Sequence, residues 1–106
     1  MIEVVLLYDL VPGTEQRAYE EWAKKAIGVV LRSPGVVEFR AHRNLLGSPF
    51  VRSTSVWKTL ADWQGFFESD AWKGCEAELR GKFAAKLKVE IWGPSPVAPE
   101  PLRPRA

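Results

Sequence analysis

The chain opens on a strand with no side suited to water. From Ile2 to Val11 the residues are apolar and β-branched, with little alternation. Ile2, Val4, Leu6, Tyr8 and Leu10 fall on one face; Val5, Leu7 and Val11 share the other with Glu3 and Asp9. Side chains alternate across a strand, so a strand apolar on both sides is covered on both sides. Helices can cover one face, and a partner sheet can cover the other.

The rest of the chain supplies the helices. Pro12-Gly13 breaks the strand, and Thr14 is the expected cap of the helix that follows. Over Glu15 to Arg32, Tyr19, Trp22, Ala23, Ala26, Ile27 and Val30 recur at helical spacing and draw one apolar stripe, with Arg17, Glu20 and Lys24 facing away. Ser33-Pro34-Gly35 stops the helix. Val36 to Asn44 alternates as a second strand, with Val37, Phe39, Ala41 and Arg43 on one face and Val36, Glu38, Arg40 and His42 on the other. Leu46-Gly47-Ser48-Pro49 reads as a hairpin connection. On the third strand, Phe50 to Trp57, Val51, Ser53, Ser55 and Trp57 oppose Phe50, Arg52, Thr54 and Val56. Thr59, with Asp62 three residues on, marks a helix start, and Ser69-Asp70 marks another. The pattern predicts two short helical pieces broken near Glu68 to Asp70, the second running to about Gly81. Leu87, Val89 and Ile91 alternate with Lys86, Lys88 and Glu90 as a fourth strand. Five of the eight prolines then fall in residues 94–106, where no periodic apolar pattern survives. The expected division is a domain over 1–93 and a Pro-rich tail over 94–106, either docked on a neighbour or disordered.

Strand, helix, strand, strand, helix, strand is the ferredoxin-like βαββαβ order. It predicts an α+β fold in which a four-stranded antiparallel sheet carries its helices on one face. Apolar residues on the other face are expected to form a patch too large to leave in water. Two copies packed sheet to sheet about a twofold axis would bury it, which predicts a homodimer.

A chain of 106 residues suits one domain. Its net charge of +2 is spread among intermingled acids and bases, as in Glu20-Glu21-Trp22-Ala23-Lys24-Lys25, and not gathered on one face for nucleic acid. A single cysteine, Cys75, leaves no internal disulfide and no Cys-based metal cluster. No run approaches the roughly eighteen apolar residues of a membrane helix. Glu3 and Asp9 interrupt the apolar opening, and no basic region precedes it, unlike a signal peptide. The reading is a soluble, cytoplasmic protein with no nucleic-acid or membrane partner. No P-loop, dinucleotide glycine fingerprint or HExxH pattern occurs.

The stretch Val56 to Lys73, VWKTLADWQGFFESDAWK, together with Pro12-Gly13-Thr14 and Ser33-Pro34-Gly35-Val36, resembles the antibiotic-biosynthesis monooxygenase-like family of dimeric α+β barrel proteins. The resemblance covers roughly residues 2–92. It implies a dimeric barrel with a cavity between sheet and helices. It also implies a cofactor-independent monooxygenase acting on a small aromatic or polyketide-like compound. The haem-degrading branch of the family uses an Asn on strand one and a Trp and a His on helix two. Those roles fall at Leu6, Phe66 and Glu76. Leu6 donates no hydrogen bond, and Glu76 is a hard carboxylate where haem iron takes imidazole. Haem degradation is therefore disfavoured, and no cofactor or metal is expected.

Two residues are candidates for catalysis. His42 is the only side chain whose ordinary pKa lies near neutrality, which suits a general base; beside Arg40 and Arg43, a strand histidine is more often a surface or interface residue. Tyr8 could orient a substrate oxygen, or be a core tyrosine bonded at a pocket rim. Leu6, Trp57, Trp63, Phe66 and Trp72 are candidates for lining a cavity that holds a small aromatic ligand, though aromatics at helical spacing also serve as core. Arg40, Arg52 and Glu38 could pair across strands. Cys75 reads as a small buried apolar group. The alternative to an enzyme is the same homodimer with a filled core, as a non-catalytic small-molecule-binding or stress-related protein.

Overall fold

Ile2–Leu10 forms β1, the strand on which the fold is assembled, in a computed structural model that describes residues 1–105. The elements that follow are α1 (Gln16–Leu31), β2 (Val36–Arg43), β3 (Val51–Trp57), α2 (Leu60–Phe67), α3 (Asp70–Glu78), a π-helical turn (Leu79–Phe83) and β4 (Ala84–Trp92). The strands form one antiparallel sheet in the order β2-β3-β1-β4. This is the ferredoxin-like α+β arrangement. β1 and β3 are the inner strands, in keeping with the apolar run of β1.

The helices lie on one face of the sheet. Val4 and Tyr8 of β1 and Trp57 of β3 meet Trp22, Ala26 and Val30 of α1, Phe66 of α2 and Trp72, Cys75 and Leu79 of the third helical stretch. Trp57 and Leu79 are wholly buried. The Trp22 indole N–H donates to the Cys75 carbonyl at 2.9 Å, which ties α1 to α3. Thr59 caps α2 by accepting from the Asp62 amide, and Ser69 caps α3 by accepting from the Trp72 amide. Ser69 also donates to the Phe66 carbonyl at 2.7 Å, so one side chain closes the first helix and opens the second.

Four local expectations change. Thr14 does not cap α1: its hydroxyl donates back to the Val11 carbonyl at 2.6 Å, closing the Pro12-Gly13 turn, and Glu15 takes the capping position without a side-chain bond. On β2 the pairing steps from Val36 to Glu38 while β3 moves by one residue, so Val37 is an inserted residue. The bulge puts Val36, not Val37, against the core beside Phe39. A second irregularity lies on β4. Lys88 pairs with Leu7 and Ala85 with Asp9, so Lys86 and Leu87 together oppose Tyr8. Lys86 there adopts φ +57°, the left-handed region. Bulges bend a strand and re-aim its side chains, and here Leu87 is kept on the core. The helical chain also runs past Gly81, through the π-helical turn to Phe83.

The sheet face away from the helices is not the broad apolar patch the sequence suggested. By register, Val5, Leu7 and Thr54 form its middle, Val56 and Trp92 flank Glu3 at one end, and Glu38, Arg40, His42, Arg52, Lys88 and Glu90 surround them. Arg40 pairs with Glu38 of its own strand at 2.7 Å, and Lys88 with Glu90 at 3.0 Å, in place of pairs across strands. Beyond Trp92, residues 93–105 form no helix or strand, and all but Ala98 are exposed. No helix among the described residues is long and apolar enough to cross a membrane.

Candidate functional site

Between sheet and helices the core does not close. β3 turns Ser53 and Ser55 inward, and α1 presents Ala23 and Ala26 opposite them. These side chains are short where their neighbours are large. The hollow that remains is framed by Leu6 and Tyr8 of β1, Tyr19 of α1, Phe39 of β2, Trp63, Phe66 and Phe67 of α2, and Trp72 of α3. The centre of a water-sized sphere has about 80 Å³ in which to move there. That is several times what one water needs, and less than the few hundred Å³ of a preformed pocket for a drug-sized ligand.

The wall is apolar with a few hydrogen-bonding groups. The hydroxyls of Tyr8 and Tyr19 lie 2.6 Å apart, a short mutual hydrogen bond. Burial pushes both above the ordinary phenol value of 10.0; for Tyr8 the bond to Tyr19 pushes the same way, and for Tyr19 the bond to Tyr8 opposes it. Both are therefore neutral phenols at physiological pH, suited to donate or relay a proton and unsuited to act as a standing base. Their rings are held in an aromatic set: Tyr19 stacks on Trp22 at 5.9 Å and meets Phe83 edge-on at 5.7 Å. Ser55 accepts from the Trp57 indole at 2.8 Å, which leaves its own proton for the cavity side. Among the described residues no carboxylate, imidazole, ammonium or guanidinium lines the hollow.

The sequence candidates separate cleanly. Tyr8, Leu6, Trp63, Phe66 and Trp72 stand around the cavity. Trp57 stands outside its wall, wholly buried with its ring 5.0 Å from that of Phe66; it supports the wall from behind. His42 does not join Tyr8. Its position on β2 turns it to the opposite sheet face, exposed among Glu38, Arg40 and Arg52, so the sheet lies between the two. Tyr19, Ser53 and Ser55 were not singled out. Tyr19 was legible only as part of the α1 stripe. The signal for the serines was two small polar residues on the inward face of a strand between Val51 and Trp57.

Haem does not fit these residues. Glu76 is outside the cavity wall, its carboxylate 3.6 Å from Arg80, and Leu6 and Phe66 bring neither an iron ligand nor a hydrogen-bond donor. Among the described residues no three His, Cys, Asp or Glu side chains gather where a metal ion could be held.

The family model for antibiotic biosynthesis monooxygenases matches residues 1–78, from β1 to the end of α3. The chain belongs to the antibiotic biosynthesis monooxygenase family. Solved structures share the fold. A protein of Arabidopsis thaliana superposes with a TM-score of 0.79 at 17% identity, over 92% of this chain and 99% of that one. SnoaB, a cofactor-independent oxygenase of Streptomyces nogalater, does so with a TM-score of 0.77 at 13% identity, over 93% and 97%. A conserved protein of Methanosarcina mazei gives a TM-score of 0.75 at 18% identity, over 86% and 89%. Identities this low speak for the fold. A search of curated protein sequences finds no match.

Proposed function

We propose that the chain is a cofactor-independent monooxygenase for a small aromatic or polyketide-like compound, bound in the hollow between sheet and helices. The observation that carries this reading is the hollow itself: lined by aliphatic and aromatic side chains, free of charged side chains among the described residues, and furnished with hydroxyls. Membership of the family supports it, as does the likeness in fold to SnoaB.

The chemistry such a wall can perform follows from what it contains. A substrate acidic enough to lose its proton to water enters as its anion, the anion passes an electron to dioxygen, the two radicals combine into a peroxide, and loss of water from that peroxide leaves one oxygen atom on the product. The protein excludes water and holds the reacting ring flat between aromatic side chains. Tyr8, kept neutral and bonded to Tyr19, is placed to donate to the oxygen on which negative charge gathers, the kind of stabilisation that favours the charged transition state. His42 has no part in this scheme, because it faces away.

Oxygen uptake with naphthohydroquinone tests the reading. The wild-type protein should accelerate uptake above the rate of autoxidation, and Ser53→Phe, which fills the hollow, should abolish the acceleration. A wild-type rate equal to autoxidation overturns it. The lack of a standing base in the wall favours a second reading, a homodimer that binds such compounds without turning them over. In that case the probe quenches tryptophan fluorescence while oxygen uptake stays at background.

We also propose that two copies pair through their open sheet faces. Val5, Leu7, Val56 and Trp92 supply its apolar surface, and the surrounding charges of both signs suit a self-complementary twofold contact.

A further inference from the structure

An inward-facing position on a helix-covered sheet ordinarily holds an apolar residue, because a hydroxyl taken from water without a partner is costly. β3 departs from that rule twice, at Ser53 and Ser55. Ser55 has a structural use: its oxygen accepts from the Trp57 indole at 2.8 Å, which holds the side chain in place. Ser53 has no such partner among the described residues, and it is half-buried. Nor is its oxygen sealed in the core. Among the described residues, the side-chain nitrogen or oxygen that is both unpartnered and closed to a water-sized sphere is Nε1 of Trp72, not Oγ of Ser53. The Ser53 hydroxyl therefore meets open space. Its cross-strand neighbours are Leu6 of β1 and Ala41 of β2, which carry no polar side-chain atom, and all three line the hollow. The space that Ser53 meets is the hollow.

The tyrosine pair stands elsewhere in the same wall. Tyr8 pairs with Val51, two residues before Ser53, so Tyr8 and Ser53 are diagonal neighbours with backbones about 7–8 Å apart. The Tyr8 ring carries its hydroxyl off the sheet to Tyr19 of α1, where the two oxygens lie 2.6 Å apart. Ser53 has a short side chain and keeps its hydroxyl on the sheet. The hollow thus offers hydroxyls at two heights, one against α1 and one on the floor. We infer that Ser53 is a specificity-determining residue of the hollow, and that its hydroxyl takes a second oxygen of the ligand, a phenol or a ring carbonyl, while the tyrosine pair takes the first. This assignment rests on the hollow being a ligand site, as proposed above, and adds that the ligand is oxygenated at two places on its ring system. A serine hydroxyl donates to a carbonyl and accepts from a phenol, so it serves a quinol and a quinone alike. A ring with one oxygen satisfies the tyrosines, displaces water from Ser53 and gives nothing back.

Hydroquinone and 4-methylphenol, compared under argon, isolate the second oxygen: they share one phenol and nearly one shape. Their dissociation constants are read from the indole signals in nitrogen–proton correlation spectra. Ser53→Ala should weaken hydroquinone about fivefold, the scale of one neutral hydrogen bond, and 4-methylphenol by no more than about twofold. Ser53→Cys keeps the size of the side chain and puts a weak S–H donor in place of the hydroxyl, and it should give the same pattern, so misfolding of one variant leaves the other to decide. A loss by 4-methylphenol as large as that of hydroquinone, or no loss by either, overturns the assignment and leaves the cavity reading standing. Failure of the wild-type protein to bind either probe overturns both.

Discussion

Two residues carry local costs that single substitutions can measure. Lys86 sits at φ +57° in the β4 bulge opposite Tyr8. A side chain in the left-handed region costs about 1 kcal/mol, and glycine escapes that cost. Lys86→Gly should therefore raise stability by about 1 kcal/mol, read as a higher urea midpoint at unchanged slope. Tyr8 carries a different cost. Its folded phenol and that of Tyr19 ionise above the ordinary value of 10.0, because burial penalises the phenolate. Their contribution to stability is intact below the unfolded pKa and is lost as pH rises from there through the raised folded values. Urea midpoints taken from about pH 8 to about pH 11 should fall, and Tyr8→Phe should flatten the fall.

At the scale of elements, much of the fold was legible because its signals are local. The stripe on α1, the stop at Ser33-Pro34-Gly35 and the caps at Thr59 and Ser69 depend on neighbours in sequence, and each lies where the pattern put it. Gly35 adopts φ +86°, and a side chain there would collide with Asp62, so the turn into β2 depends on a glycine. The two bulges and the Thr14 turn were not legible. An inserted residue such as Val37 is defined by the partner strand, and apolar identity alone cannot say which valine of Val36-Val37 faces inward. The cavity was legible in part. Aromatics announced its wall, but whether they fill a core or surround a hollow is decided by the short side chains opposite, Ser53, Ser55, Ala23 and Ala26. Residue type does not tell which face of the sheet becomes the site, and the register places His42 on the face away from the hollow. Ser69 joins two elements, so Ser69→Ala should cost about 1 kcal/mol through the lost cap. The loss would appear as a lower urea midpoint and, where the α2–α3 corner loosens, as a change in near-ultraviolet circular dichroism from Trp72.

At the scale of the whole molecule, a sheet clothed by helices on one face only leaves Val5, Leu7, Val56 and Trp92 on the other. Sedimentation at micromolar concentration should give a dimer. Thr54→Arg, which sets a second cation beside Arg40 in the middle of that face, should give a monomer with unchanged far-ultraviolet circular dichroism. A monomer in the wild-type protein would contradict the pairing. The helix-covered face carries a separate lesson, drawn from its wall of rings and neutral hydroxyls. Nothing in that wall changes its charge across the physiological range. An acidic or basic limb seen between about pH 5 and about pH 9 would therefore report the ionisation of the bound compound, so titrating the rate becomes a way to learn the acidity of an unknown substrate.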